Sequence, residues 1–145
     1  MNSLIKDRVH ELYYGYDVNC ARTTLTCLSE LLETPVERQT MNAAIGLHGA
    51  GGFRAQCGLV EGALMFLGLY FSDRGKSTDE IVSLCYRYAD EFTKKFGSLT
   101  CRELRPGGFS EDDPPHACEG LTCEAIEFAY EFIKQQRQCR LPNSL

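Results

Sequence analysis

Hydrophobic side chains recur every three or four residues along most of the chain, which is the spacing of one face of an α-helix. The first stripe predicts a helix over residues 3–16 that ends or bends at Gly15. A second stripe, which includes Leu25 and Leu28, predicts another helix with Asp17 as its N-cap. The beginning of the chain is therefore predicted to form two amphipathic helices.

A start signal for the third helix lies at Thr34, Pro35 and Glu37. A capping threonine, a proline at the first helical position and a glutamate three residues after the cap are typical of a helix N-terminus. The helix is predicted to run to about His48 and to stop at the glycine-rich residues 49–52.

A second capping box, from Ser77 to Glu80, opens a helix with an inward-facing hydrophobic stripe. Gly97 is predicted to end this helix, since glycine adopts the left-handed conformation common after a helix. A last helix is predicted from about Leu121.

The segment 55–71 is apolar on nearly all sides, so we expect it to be the central, buried helix. Gly58 and Gly62 lie four residues apart on one face of it and would allow a neighbouring backbone to approach closely. No strand alternation and no internal repeat is visible. The sequence therefore predicts an all-α bundle of about five to six helices around this central helix.

The composition supports one globular domain over residues 1–145. Hydrophobic residues make up 43% and charged residues 24%, which is normal for a folded protein and excludes a disordered chain. Residues 105–116 are rich in glycine, proline and acidic side chains and predict a loop. The tail, 138–145, is predicted to be frayed.

The charge pattern limits the partners that we expect. The net charge is −5 and no basic run is present, which argues against nucleic acid and against an anionic membrane surface. The best apolar run, 59–71, is interrupted by Glu61, Gly62 and Gly68 and is too short to cross a bilayer. The sequence therefore predicts neither a nucleic-acid partner nor a membrane partner.

Cysteine is the unusual component, with eight in 145 residues. A high, even count can indicate a secreted disulfide scaffold. However, residues 1–15 contain several charged side chains and no apolar signal segment, so a cytoplasmic location is expected. Reduced thiols, metal thiolates or a redox-cycling pair then remain as the alternatives.

Three cysteines have ordinary structural interpretations. Cys85 lies in an inward-facing helical stripe and is predicted to be buried, where a small thiol packs like alanine or valine. Cys27 lies in the second helix beside Leu25 and Leu28 and is also predicted to be core. Cys139, in the polar tail, is predicted to be an incidental surface thiol.

Four other cysteines lie where helices begin or loops join them. Cys20 follows an N-cap, Cys57 follows the glycine-rich turn, Cys118 precedes the last helix, and Cys101 follows the break at Gly97. Free N–H groups and partial positive charge at a helix N-terminus favour a thiolate, which is the form that binds a metal or attacks an electrophile. These positions predict ligands or redox thiols.

The cysteine spacings do not identify a particular metal. No C-x2-C pair is present, so the common zinc signatures and the usual ferredoxin runs are missing. The C-x-x-C-H motif is also missing, so we expect no covalent haem. On spacing alone a metal site is one of several options.

The chain resembles the C_GCAxxG_C_C family of redox-active proteins and is similar to the cluster-bearing part of split-Soret cytochromes. The resemblance covers about residues 17–134 and depends on the segments 19–21, 49–53, 57–65 and 67–69. Phe96 and Gly97 before Cys101, and Cys118 before the last helix, complete it. The middle motif departs from the family pattern, because here the glycine follows Cys57 and Leu59 stands where the pattern prefers alanine. The family name describes cysteines and not a reaction.

The resemblance implies a redox or iron–sulfur role in which Cys20, Cys57, Cys101 and Cys118 are the family cysteines. Four thiolates without an adjacent histidine favour an iron–sulfur cluster bound by all four, used for electron transfer or redox sensing. One alternative is a thiol–disulfide oxidoreductase in which Cys57 attacks and a second cysteine resolves. Another alternative is a structural zinc protein. Whether the protein is an enzyme, such as an oxidoreductase, stays open, and we expect a redox partner protein and a homodimer.

Overall fold

The computed structural model describes residues 2–105 and 116–138. Within these two ranges the chain contains helices and no strand, which confirms the all-α prediction. The predicted loop at 105–116 falls almost entirely outside the described residues, as do Cys139 and the rest of the predicted frayed tail. The helices are α1 (Asn2–His10), α2 (Cys20–Leu31), α3 (Arg38–Ala43), α4 (Gly49–Gly52), α5 (Gly58–Asp73), α6 (Thr78–Phe96), α7 (Cys101–Leu104) and α8 (Glu119–Gln138), and a π-helical turn (Glu11–Gly15) follows α1.

Helix α5 is the central helix of the bundle, as the apolar segment 55–71 predicted, although it begins three residues later than expected. Helices α2, α6 and α8 all pack against it. Its buried residues face more than one direction, because hydrophobic side chains occupy most of its circumference. They are Gly58, Leu59, Val60, Gly62, Ala63, Phe66, Leu67, Tyr70 and Phe71.

Two glycines bring α2 against α5, as their spacing predicted. A Cβ atom at Gly62 would lie 2.6 Å from the carbonyl oxygen of Ala21. A Cβ atom at Gly58 would overlap the Cys20 sulfur and the carbonyl oxygen of Leu47. Since only hydrogen fits at either position, the start of α2 and the start of α5 are held in direct contact.

The ends of α6 are where local signals placed them. The Ser77 hydroxyl accepts from the Glu80 N–H at 3.2 Å, and the Glu80 carboxylate accepts from the Ser77 N–H at 3.0 Å. Gly97 ends the helix with φ +95°. Both signals need only neighbouring residues, which is why they were visible in the sequence.

The predicted start of α3 at Thr34 is wrong. Residues 34–37 are not helical, and α3 begins at Arg38 and ends at Ala43. Thr34 is buried, and its hydroxyl donates to the Leu32 carbonyl at 3.0 Å instead of accepting from a helix N–H. Tertiary burial of this side chain therefore overrides a local start signal.

The predicted N-cap at Asp17 is also wrong, because Asn19 caps α2. Asp17 has φ +52°, and its carboxylate lies 2.9 Å from Nε2 of His116. Asn19 lies two residues after Asp17. It forms the cap because its backbone is extended and it directly precedes the first helical residue.

The buried side chains form two clusters. The larger cluster surrounds α5 and includes Cys57, with Cys20 and Cys85 packed against it. The second cluster lies between α1, α2 and α8 and consists of Ile5, Val9, Leu12, Tyr13, Cys27, Cys123 and Ile126. Cys27 is therefore core, as predicted, whereas Cys85 is half-buried and not fully buried. Among the described helices, none is both long and apolar enough to cross a membrane.

Candidate functional site

Cys20 is the first residue of α2, and Asn19 fixes its position. The Asn19 side-chain oxygen accepts from the Arg22 N–H at 2.9 Å, which caps the helix. Its amide nitrogen donates to the carbonyl oxygens of Ala44 at 3.0 Å and Ile45 at 2.7 Å. One side chain therefore caps α2 and ties it to the segment before the glycine-rich turn. The Cys20 sulfur lies 3.8 Å from the Leu47 carbonyl oxygen, to which a thiol can donate.

An isolated antiparallel backbone bridge between Gln56 and Thr100 places Cys57 beside Cys101. The Cys57 N–H donates to the Leu99 carbonyl at 2.8 Å, and the Cys101 N–H donates to the Ala55 carbonyl at 2.7 Å. In a regular antiparallel pair two such residues are diagonal neighbours on one face, about 7–8 Å apart. Two helix starts, those of α5 and α7, are thus fixed beside each other.

The glycine-rich turn fits closely around these segments. Gly49 has φ +69°, and a Cβ atom there would lie 3.3 Å from Cβ of Cys101 and 3.2 Å from the backbone of Arg54. The Ala55 N–H donates to the Gly49 carbonyl at 3.1 Å. Glycine is required here by conformation and by space, so the turn brings Cys101 close to the chain that leads into Cys57.

Cys118 lies directly before α8, and a buried chain of hydroxyl groups holds its backbone. The Cys118 carbonyl accepts from the Thr122 N–H at 2.8 Å and from the Thr122 hydroxyl at 2.9 Å. The Tyr13 hydroxyl lies 2.7 Å from the same threonine oxygen. Because the Thr122 hydrogen is directed to Cys118, Tyr13 is the donor in this pair. Tyr13 belongs to the π-helical turn, a distortion that is frequent at functional sites.

The four cysteines lie close enough for their charges to act on one another. The charges of Cys57 and Cys101 raise the pKa of Cys20, and those of Cys101 and Cys118 raise the pKa of Cys57. We call Cys20, Cys57, Cys101 and Cys118 the four-cysteine site.

Burial makes the thiolate forms of Cys20 and Cys57 less favourable. It raises the pKa of Cys20 to about 12 and that of Cys57 to about 11. The N–H groups of Leu59 and Val60, in the first turn of α5, lower the pKa of Cys57, but by less than burial raises it. The helix starts therefore favour thiolates as expected, although in the described structure loss of solvent is the larger effect.

Cys101 has a different charge environment from Cys20 and Cys57. Burial raises its pKa, while the charges of Arg105 and Arg54 lower it. The Cys101 thiol is also half-buried, whereas Cys57 is only 6% exposed. Two cationic side chains thus favour the thiolate form of Cys101.

The remaining candidates lie outside the four-cysteine site. Cys27 and Cys123 are in the second cluster. His116, two residues before Cys118, pairs with Asp17 and stacks on Tyr13 with ring centroids 4.4 Å apart. Within residues 2–105 and 116–138, no three His, Cys, Asp or Glu side chains are arranged to hold a metal ion.

Two buried tyrosines beside the site were missed by sequence reasoning. The charges of Cys20, Cys118 and Cys57 act on Tyr13, and that of Cys57 acts on Tyr88. Both tyrosines were predicted only as inward-facing hydrophobic positions. Nothing in a periodic pattern could show where their hydroxyl groups point, since that depends on elements distant in sequence.

Comparison with known proteins identifies a family. The family described as Putative redox-active protein (C_GCAxxG_C_C) matches residues 18–132, a range that contains all four cysteines of the site. Neither the curated proteins nor the solved structures include a significant match. Because the family match spans well over half of the sequence, the chain belongs to the C_GCAxxG_C_C family, whose description is of redox-active proteins.

Proposed function

We propose that the four-cysteine site binds an iron–sulfur cluster and that the protein transfers electrons or senses redox state through it. The observation that carries this proposal is that four cysteines, up to 98 residues apart in sequence, each begin or directly precede a helix and lie within reach of one another's charge. Thiolates are the usual ligands of iron–sulfur clusters.

The donor set fits a cluster in its chemistry. Four sulfur donors are present, and the nearby His116 is engaged by Asp17 and Tyr13. A cluster also offers sulfide acceptors to nearby hydrogen-bond donors. Among the described residues the buried Tyr88 hydroxyl has no hydrogen-bond partner, and it lies within reach of the charge of Cys57. The ligands of a cluster lie farther apart than those of a single ion, because the irons and sulfides lie between them.

The residues around the site would control how a cluster is taken up. A ligating thiol must lose its proton, and burial makes that loss unfavourable for Cys20 and Cys57 until iron offsets the charge. The N–H groups of Leu59 and Val60 then stabilise the thiolate form of Cys57. When bound, a cluster supplies one-electron oxidation and reduction, and the apolar cluster around α5 limits the access of water.

Thiol–disulfide exchange is the less favoured alternative. The attacking species is a thiolate, and the optimum thiol has a pKa near ambient pH. The pKa of Cys57 is about 11, and the residue is 6% exposed. Very little accessible thiolate would exist at neutral pH, which argues against Cys57 as the attacking residue.

A redox partner would dock most readily beside the glycine-rich turn. Phe53 and Ile45 flank this turn and are 77% and 54% exposed, and the turn itself packs against Cys101. These two side chains offer a partner apolar contacts beside the turn that lies against Cys101. We propose that the partner protein contacts the molecule at this end.

The test is anaerobic purification followed by reconstitution with ferrous iron and sulfide. We expect iron and acid-labile sulfide in similar amounts, with visible absorption that dithionite bleaches. A structural zinc site would bind zinc and stay colourless. Folded protein that binds neither iron nor sulfide after reconstitution would contradict the proposal.

A further inference from the structure

Tyr88 is fixed at the centre of the bundle. It lies on the inward face of α6 and is 1% exposed. Its ring contacts those of Phe92, Phe128 and Phe132, with centroids 6.0, 5.6 and 5.2 Å away. Three aromatic neighbours from two helices leave the ring no route to solvent, so the direction of its hydroxyl is set by packing.

The Tyr88 hydroxyl is an exception among the buried tyrosines. Tyr13 donates to Thr122 at 2.7 Å, and the Tyr70 hydroxyl accepts from Nη1 of Arg137 at 3.1 Å. The Tyr88 hydroxyl is buried and makes no hydrogen bond to any of the described residues. An unsatisfied buried hydroxyl destabilises a fold, a cost that phenylalanine would not carry.

The unsatisfied Tyr88 hydroxyl and the Cys57 side chain are enclosed in the same buried core. Both residues belong to the cluster around α5. Burial, and then the charge of Cys57, raise the pKa of Tyr88 well above its usual value. The Cys57 sulfur is not itself a hydrogen-bond partner, so the hydroxyl is near this ligand without being satisfied by it.

We propose that Tyr88 is a positioning residue whose hydroxyl donates a hydrogen bond to a sulfur acceptor of the group held by Cys57. This inference rests on the proposed function, because the Cys57 sulfur is not a hydrogen-bond partner of the hydroxyl and the acceptor is therefore a sulfur of the bound cluster. A donor directed at sulfur stabilises the more negative, reduced state, so the hydroxyl raises the reduction potential. A satisfied donor in the loaded protein also explains why tyrosine stands where phenylalanine would pack equally well.

The test compares Tyr88→Phe with Tyr70→Phe in the full-length protein. Tyr88→Phe should make the loaded protein harder to reduce by about tenfold in the reduced-to-oxidised ratio, which is 59 mV for one electron. It should leave the metal-free protein equally stable or more stable, because no satisfied hydrogen bond is removed. Tyr70→Phe removes a satisfied bond away from the thiols, so it should lower stability and leave the potential unchanged.

Failure of this inference would appear in the Tyr88→Phe variant, whereas failure of the proposed function would appear in the wild-type protein. If Tyr88→Phe destabilises the metal-free protein as much as Tyr70→Phe and leaves the potential unchanged, the hydroxyl has an ordinary structural role and the inference is wrong. If the wild-type protein takes up no iron and sulfide, the proposed function is wrong, and the acceptor required by this inference is lost with it.

Discussion

The molecule contains two regions where buried cysteines lie close together, and they differ in what surrounds the sulfur. In the four-cysteine site each residue begins a helix or directly precedes one. In the second cluster, Cys27 lies within α2 and Cys123 within α8, and hydrophobic side chains surround them. Burial raises the pKa of Cys27 to about 12, the same value as for Cys20. Burial and pKa alone therefore do not distinguish a ligand from a core residue.

Backbone donors distinguish Cys20 and Cys57 from Cys27. The N–H groups of Ala21 and Cys20 lower the pKa of Cys20, and those of Leu59 and Val60 lower that of Cys57. No backbone donor acts on Cys27, whose charged neighbours are Glu30 and Arg8. A thiolate at a helix start has hydrogen-bond donors ready for it, whereas one at Cys27 would not. We therefore expect the two regions to respond differently to iron, to a change in backbone packing and to pH.

The largest expected difference is in cofactor binding by Cys57→Ala and Cys27→Ala. Both changes remove one buried sulfur and should cost stability similarly, about 1–2 kcal/mol. Cys57→Ala should lose most of the bound iron and sulfide, since one cluster ligand is missing, whereas Cys27→Ala should keep them. Iron and sulfide analysis after reconstitution measures both variants. Equal loss in the two variants would remove the distinction between the regions.

The next effect concerns the contact between α2 and α5. In Gly58→Ala the added methyl group would overlap the Cys20 sulfur and the Leu47 carbonyl, and overpacking typically costs about 1–3 kcal/mol. The matched control is Gly68→Ala in the same helix, where no atom lies within 4 Å of the new Cβ. That control should gain up to about 1 kcal/mol, because alanine favours helix more than glycine does.

Urea unfolding of both variants tests the prediction, and reconstitution of Gly58→Ala extends it to the site. Displacing Cys20 should reduce cluster uptake in this variant as well. A Gly58→Ala protein as stable as Gly68→Ala would show that α2 and α5 do not meet as closely as described.

The smallest effect is on the pH dependence of stability in the metal-free protein. The folded-state pKa values of Cys57 and Cys27, about 11 and about 12, lie above the ordinary value of 9.0. The folded state therefore holds these protons more tightly than the unfolded state does. The contribution of these thiols to the free energy of unfolding should be largest below pH 9 and should fall as the pH rises towards 11. In Cys27→Ala the unfolding free energy should fall less steeply with pH, by an amount that corresponds to the release of up to one proton fewer on unfolding. The half-buried Cys85 should contribute less, and equal slopes for Cys27→Ala and Cys85→Ala would contradict this.

Features with a local cause could be predicted from the sequence. The capping box at Ser77 and the end at Gly97 depend only on adjacent residues, and both are observed. The apolar character of α5 likewise predicted its central position. The start at Thr34 failed because this side chain is buried, and burial depends on packing that a local signal does not contain.

The site was predictable in its residues but not in its electrostatics. The positions of the cysteines at helix starts were visible in the sequence, and a preference for thiolate followed from them. Burial reverses that preference at Cys20 and Cys57, and burial depends on packing between distant helices. The unsatisfied hydroxyl of Tyr88 was invisible for the same reason, since two of the three aromatic rings around it belong to α8.

The most direct test of the central claim, that Cys20, Cys57, Cys101 and Cys118 bind one cluster, is to map cysteine alkylation by mass spectrometry. Metal-free and anaerobically reconstituted protein would be treated identically, so that each cysteine is compared with itself. We predict that alkylation of these four falls together on loading, while that of Cys27 and Cys123 does not change. Bound iron and sulfide with two or more of the four still as reactive as in the metal-free protein would contradict the claim.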